Sequence, residues 1–219
     1  DKHFDEETDK LVKLQIENSL NLGWDLKDIL LVTNFPYKFM GVRAIVLDDG
    51  TFNPIRKRAS KIDALCEMYR LGLIEDTLYW FHDFDAYQLL PFDEPELDGC
   101  DVGMTDYGWR QRWNTGSFFF NNKCLDIMQA IMGGVYYFNI NEEQSLVKLT
   151  RSGRYVDRIK RMNIRYNIGM RKIDENIERA EKPILVAHFH LDRHNHLIKE
   201  FAPYMRDDLK EVIKKYGFS

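Results

Sequence analysis

The chain has 219 residues, 44% hydrophobic and 30% charged, with 31 Lys and Arg against 35 Asp and Glu for a net charge of −4. That balance suits a single globular domain over residues 1–219 with a sizeable core, and it disfavours disorder. No run of eighteen apolar residues offers a membrane span, and no basic stripe marks a nucleic-acid face. The opening Asp1-Lys2-His3-Phe4-Asp5-Glu6-Glu7 does not read as a secretory signal. Cys66, Cys100 and Cys124 follow no metal or disulfide spacing, which fits a reducing, cytoplasmic setting.

Asp5-Glu6-Glu7-Thr8 opens a helix, with a capping Asp and acids where the helix dipole favours them; Leu11, Leu14, Ile16 and Leu20 form its apolar face. Short strands are expected at Ile29 to Thr33 and Val42 to Leu47, and Asp48-Asp49-Gly50 turns the chain. Ser60-Lys61-Ile62-Asp63 reads as a capping box for a helix running to about Arg70 and closing at Gly72. An apolar strand from Leu78 ends in Asp83-Phe84-Asp85, and the acids from Asp93 to Asp101 read as a surface loop. Gly116 to Phe120 reads as a strand. Helices follow at Lys123 to Met132, Glu142 to Leu149 and Arg154 to Met162, then a strand at Pro183 to Phe189 and a last helix over about 204–216. Strands alternating with helices predict an α/β fold with a mixed, mainly parallel central sheet flanked by helices.

Four constellations carry chemistry. Asp83 and Asp85 lie one residue apart after an apolar strand; on one strand face, two such carboxylates repel unless a divalent cation sits between them. Asn114-Thr115-Gly116 precedes an aromatic strand, so a small residue sits where backbone must approach something closely, and Arg112 can reach a phosphate. Asn141-Glu142-Glu143-Gln144 starts a helix; the acids are dipole decoration, or Glu143 and Gln144 serve a sugar hydroxyl or a proton. His188 and His190 share a strand face near its end, suiting metal ligation, whereas His194 and His196 fit a polar loop. Tyr87, Tyr107, Trp109 and Trp113 are candidates to stack on sugar faces.

In this order, Asp-x-Asp, Asn-Thr-Gly, Glu-Gln and His-Phe over Ser60 to His190 resemble nucleotide-sugar glycosyltransferases of the GT-A fold, and within them the glycosyltransferase domains of large chlorella viruses. The resemblance implies a three-layer sandwich and transfer of a hexose or deoxyhexose from a UDP-sugar to a glycan acceptor. It also implies a cofactor, Mn²⁺ or Mg²⁺, on Asp83, Asp85 and His188. Lys61, Arg112, Asn114, Thr115, Gly116 and Arg193 would touch the donor along with Asp83. Glu143 and Gln144 would lie near the anomeric carbon. An inverting enzyme would need Glu143 or Asp106 as base, whereas the resemblance favours retention. A monomer or weak dimer is expected, in host cytoplasm if the source is viral.

Two departures from the family pattern stand out. Leu191 occupies the position of a frequent Gly, with Arg193 or His194 in place of a Lys, and a helix precedes the first strand. A dehalogenase-type phosphatase would place its Asp-x-Asp near the chain start with a small residue at Tyr87. An amidohydrolase would carry His-x-His on its first strand. A catalytically silent sugar- or nucleotide-binding domain on the same fold is the remaining alternative.

Overall fold

The computed structural model describes residues 2–54, 56–107, 112–191, 193–194 and 196–218. The chain opens on α1 (Glu6–Asn21), then four short strands, β1 (Val32–Thr33), β2 (Lys38–Phe39), β3 (Val42–Arg43) and β4 (Ile45–Val46). Helix α2 (Ser60–Arg70) precedes β5 (Tyr79–His82), β6 (Ala86–Gln88), β7 (Val102–Asp106) and β8 (Trp113–Phe120). Next come α3 (Leu125–Phe138), α4 (Glu142–Arg151), β9 (Ile159–Arg161) and β10 (Ile168–Gly169). The chain closes with α5 (Ile173–Arg179), β11 (Val186–His188), α6 (His196–Phe201) and α7 (Asp207–Lys215). This is a mixed α/β protein, and its elements fall into two compact units that alternate along the chain.

The first unit takes the residues up to Val46, His82–Asp93 and those from Asn163 onward. Its three-stranded sheet has the order β10-β11-β6, parallel between β10 and β11 and antiparallel between β11 and β6. Asp5 caps α1 as expected, accepting from the Thr8 amide at 2.7 Å. The helix buries two stripes. Leu11 and Leu14 join Tyr87, Phe189, Phe201 and Leu209 in one core, while Val12 and Ile16 join Leu31 and Val42 in another. Each such aliphatic side chain contributes roughly 2 kcal/mol of burial. The expected strand over Val42 to Leu47 is broken at Ala44, because the segment changes partner there: β3 pairs with β2 and β4 with β1.

The second unit takes Leu47–Phe81 and Glu94–Met162. Its sheet runs β5-β8-β7-β9, antiparallel between β7 and β8 and parallel between β7 and β9. Ile62, Met104, Phe118, Ile127, Ile131 and Leu146 fill the core between this sheet and helices α2, α3 and α4. Helices α3 and α4 approach closely at Gly134, where an added Cβ would lie 2.0 Å from Ser145 Oγ.

Several expectations are corrected. Ser60 does not cap α2; it lies inside the helix and its hydroxyl accepts from the Asn53 amide at 2.8 Å. The helix expected over Arg154 to Met162 is a series of turns followed by β9. Gly153 and Tyr155 adopt positive φ, which stops α4, and Ile159 then pairs beside Val102. Asp101 is not a loop acid at the surface but is buried in an ion pair with Arg158 at 2.6 Å. The final helix starts at Asp207, preceded by the unexpected α6 and a single 3-10 turn. Among the described residues, no helix is long and apolar enough to cross a membrane.

Candidate functional site

Strand β5 ends at His82, where the chain enters the first unit, so Asp83 and Asp85 do not share a strand face as expected. A tight turn brings them together instead, closed by the Ala86 amide on the Asp83 carbonyl at 3.0 Å. Phe84, between them, packs into the core with its ring edge-on to Phe4. The antiparallel register sets His188 opposite Ala86, and the Phe189 amide donates to the Asp85 carbonyl at 2.9 Å. One ligand atom from each of Asp83, Asp85 and His188 lies within 4.8 Å of the others.

His188 Nε2 is 3.3 Å from Asp85 Oδ1, and His190 Nδ1 is 3.2 Å from Asp85 Oδ2. The other nitrogen of His188, Nδ1, is 3.1 Å from Oδ1 of the buried Asn167. The Asn167 contact at Nδ1 fixes the ring so that Nε2 faces the carboxylates, an arrangement of the kind that orients metal-binding imidazoles. Burial raises the Asp85 pKa, but the His188 hydrogen bond and the charges of His188 and His190 outweigh it and bring it down to about 2. The carboxylate is therefore ionised at neutral pH. Two hard carboxylate oxygens with one imidazole fit Mn²⁺ or Mg²⁺. Arg193 is exposed on the turn after β11.

The second unit gathers another set of polar groups around β8. The β7 register jumps from Met104 opposite Phe118 to Thr105 opposite Asn114. Thr115, Gly116 and Ser117 thus have no opposite residue on β7, and side chains serve the backbone groups freed by this bulge. Lys61 Nζ donates to the Thr115 carbonyl at 3.0 Å, and the Gly116 amide donates to Asn114 Oδ1 at 2.9 Å. The Thr115 amide donates to Glu143 Oε1 at 3.4 Å, and the Tyr107 hydroxyl donates to the same oxygen at 2.8 Å. Arg112 stacks over the Tyr107 ring at 5.3 Å. Burial pushes the Glu143 pKa up; the Tyr107 and Thr115 hydrogen bonds oppose this and the Glu142 charge reinforces it.

Glu142 is the residue that sequence reasoning passed over. It is only 4% exposed; Oε1 accepts from Thr115 Oγ1 at 3.2 Å and lies 3.9 Å from Lys61 Nζ. Its Oε2 is buried without a hydrogen-bond partner among the described residues. Its place beside Glu143 at a helix start was the available signal. Asn167 gave no such signal.

Gln144 departs from expectation: it is exposed, and its Oε1 accepts from the Asn141 amide to complete a capping box. Asp106 is buried in an ion pair with Arg161. Tyr87 and Trp113 are core residues, which removes them as sugar platforms. Trp109 lies outside the described residues.

No protein-family model matches the sequence, and no curated protein matches it. Solved structures do resemble the fold. A glycosyltransferase involved in glycosylation of the major capsid of PBCV-1 is similar at TM-score 0.56 and 13% identity, over 89% of this chain and 95% of that one. The glycosyltransferase GlyE of Streptococcus pneumoniae TIGR4 is similar at TM-score 0.60 and 15% identity, over 94% of this chain and 60% of that one. Its apo form gives TM-score 0.58 at 14% identity, over 94% of this chain and 59% of that one. The chain thus spans about three fifths of the pneumococcal protein, and at these identities the likeness is one of fold.

Proposed function

We propose that the chain is a divalent-metal-dependent glycosyltransferase of the GT-A type, moving a hexose or deoxyhexose from a UDP-sugar to a glycan hydroxyl. The observation that carries this reading is the Asp83, Asp85 and His188 group on a fold similar to known glycosyltransferases. A bound Mn²⁺ or Mg²⁺ would supply Lewis-acid neutralisation of the leaving diphosphate. The protein's part is to hold ionised carboxylates and a correctly turned imidazole for it, which Asp85, Asp83 and the His188–Asn167 pair are suited to do.

In the second unit, Lys61, Arg112, Asn114, Thr115 and Gly116 are proposed as donor contacts, with Arg193 of the first unit as a diphosphate contact. Glu143, with its raised pKa and its Tyr107 hydrogen bond, is proposed to orient a sugar hydroxyl or hold a proton near the reacting carbon. Glu142 joins it, because an unpartnered buried carboxylate oxygen suits a hydroxyl donor. Gln144 and Asp106 are left out because the capping box and the Arg161 ion pair occupy them.

Calorimetric titration of UDP with and without Mn²⁺, on wild type and Asp85→Ala, tests the reading. Manganese-dependent binding that disappears in the variant is the expected result. Silence with UDP and with a panel of other nucleoside diphosphates would sink it. Binding without sugar transfer or donor hydrolysis would favour the catalytically silent domain.

A further inference from the structure

The geometry points to Gln15 of α1 as a positioning residue for the metal-binding turn, an inference that rests on the metal centre proposed above. Strand β6 is the edge of its sheet, so only one side of it pairs with β11. On that side, the Asp85 carbonyl takes the Phe189 amide at 2.9 Å. The carbonyls on either side of it, Phe84 in the turn and Ala86 at the start of β6, do not take that amide and need donors from elsewhere.

The buried Gln15 side chain supplies both missing donors. Its Nε2 lies 2.9 Å from the Phe84 carbonyl and 2.9 Å from the Ala86 carbonyl, 69 and 71 residues away in sequence. An amide nitrogen carries two hydrogens, and each has one carbonyl here. The two acceptors are linked through the backbone dihedrals of Asp85 and Ala86. One planar amide bridging them therefore restrains the Asp85 backbone, and with it the direction in which the carboxylate leaves the chain. Phe84 buries its ring from the middle of the same turn, and Asp85 is held from both edges.

The plainer account is that α1 merely blunts an exposed sheet edge. Asn18 separates the two accounts. One turn along the same helix, this buried amide donates to the Gln88 carbonyl at 2.9 Å, which lies on the same strand but beyond the turn. Edge protection makes the two amides equivalent; positioning makes only Gln15 matter to the metal.

The test is Mn²⁺ affinity of the full chain, read from the free-ion electron paramagnetic resonance signal, alongside urea midpoints for wild type, Gln15→Met and Asn18→Leu. Both variants should lose stability, because each leaves buried carbonyls unpaired. Gln15→Met should also weaken Mn²⁺ binding about ten- to a hundred-fold, the usual effect of removing an outer partner of a metal ligand. Asn18→Leu should stay within about twofold of wild type by the additivity of separate sites. Wild-type affinity in Gln15→Met, or equal weakening in both variants, overturns the inference. If Gln15→Met fails to fold, Gln15→Asn shortens the bridge by one methylene; it should weaken Mn²⁺ binding in the same direction, and unchanged affinity there also overturns the inference. Wild type that takes up no Mn²⁺ removes the metal centre itself, which separates failure of that reading from failure of this one.

Discussion

Adjacent glycines in α3 should respond to the same substitution with opposite signs. Gly133 is exposed, and an added Cβ would meet nothing within 4 Å. Gly133→Ala should therefore collect the helix-propensity gain of about 1 kcal/mol. At Gly134 the same Cβ would lie 2.0 Å from Ser145 Oγ and 3.1 Å from Ser145 Cβ. Ser145 is buried, and its hydroxyl donates to the Ile131 carbonyl at 2.7 Å. Turning it away leaves a buried hydroxyl unpaired, about 1–3 kcal/mol. Pushing α4 outward instead overpacks the crossing, again about 1–3 kcal/mol. At a mid-range cost either route outweighs the propensity gain, so Gly134→Ala should be destabilised by about 1 kcal/mol net. The two variants should differ by about 1 M in urea midpoint at the usual slope for a chain of this size. Adding Ser145→Ala to Gly134→Ala should recover part of the loss, because it removes the 2.0 Å approach. Stabilisation by both single variants would refute the close crossing of α3 and α4.

Glu143 offers a pH test. Its folded pKa is raised by burial above the ordinary 4.5, so its contribution is fully present below the unfolded value and is lost as pH rises through the folded value. Glu143→Gln should remove that loss, so the stability difference between variant and wild type should shift toward the variant from pH 4 to pH 7; a pH-independent difference in urea midpoint would contradict this. Lys61→Met leaves the buried Glu142 carboxylate without its nearby cation and takes a donor from the Thr115 carbonyl. A loss of about 3 kcal/mol is expected, since breaking a buried pair strands a charge. Adding Glu142→Gln should restore a good part of it in thermal or urea unfolding. A double variant no more stable than Lys61→Met would show that the two groups do not interact.

Local chemistry was legible wherever a few neighbouring residues decide the outcome. Asp5 caps α1, and the types and order of Asp83, Asp85 and His188 marked a candidate metal group before any coordinates. Local pattern failed where a distant partner prevailed. Arg154 to Met162 has the composition of a helix, yet Ile159 is drawn into strand pairing beside Val102. Gln144 has the composition of a site residue, yet the helix end uses it. By itself the sequence determined helix starts, strand candidates and an inventory of acids and imidazoles, because caps, turns and apolar periodicity act within a few residues. Only the tertiary structure decided that a turn rather than a strand face unites the two aspartates. Tertiary structure also placed His188 opposite Ala86, left Glu142 buried with one oxygen unpartnered among the described residues, and sent Gln15 across 69 residues to the Phe84 carbonyl. Those outcomes depend on which strands pair and which buried carbonyls need donors, and long-range packing sets both.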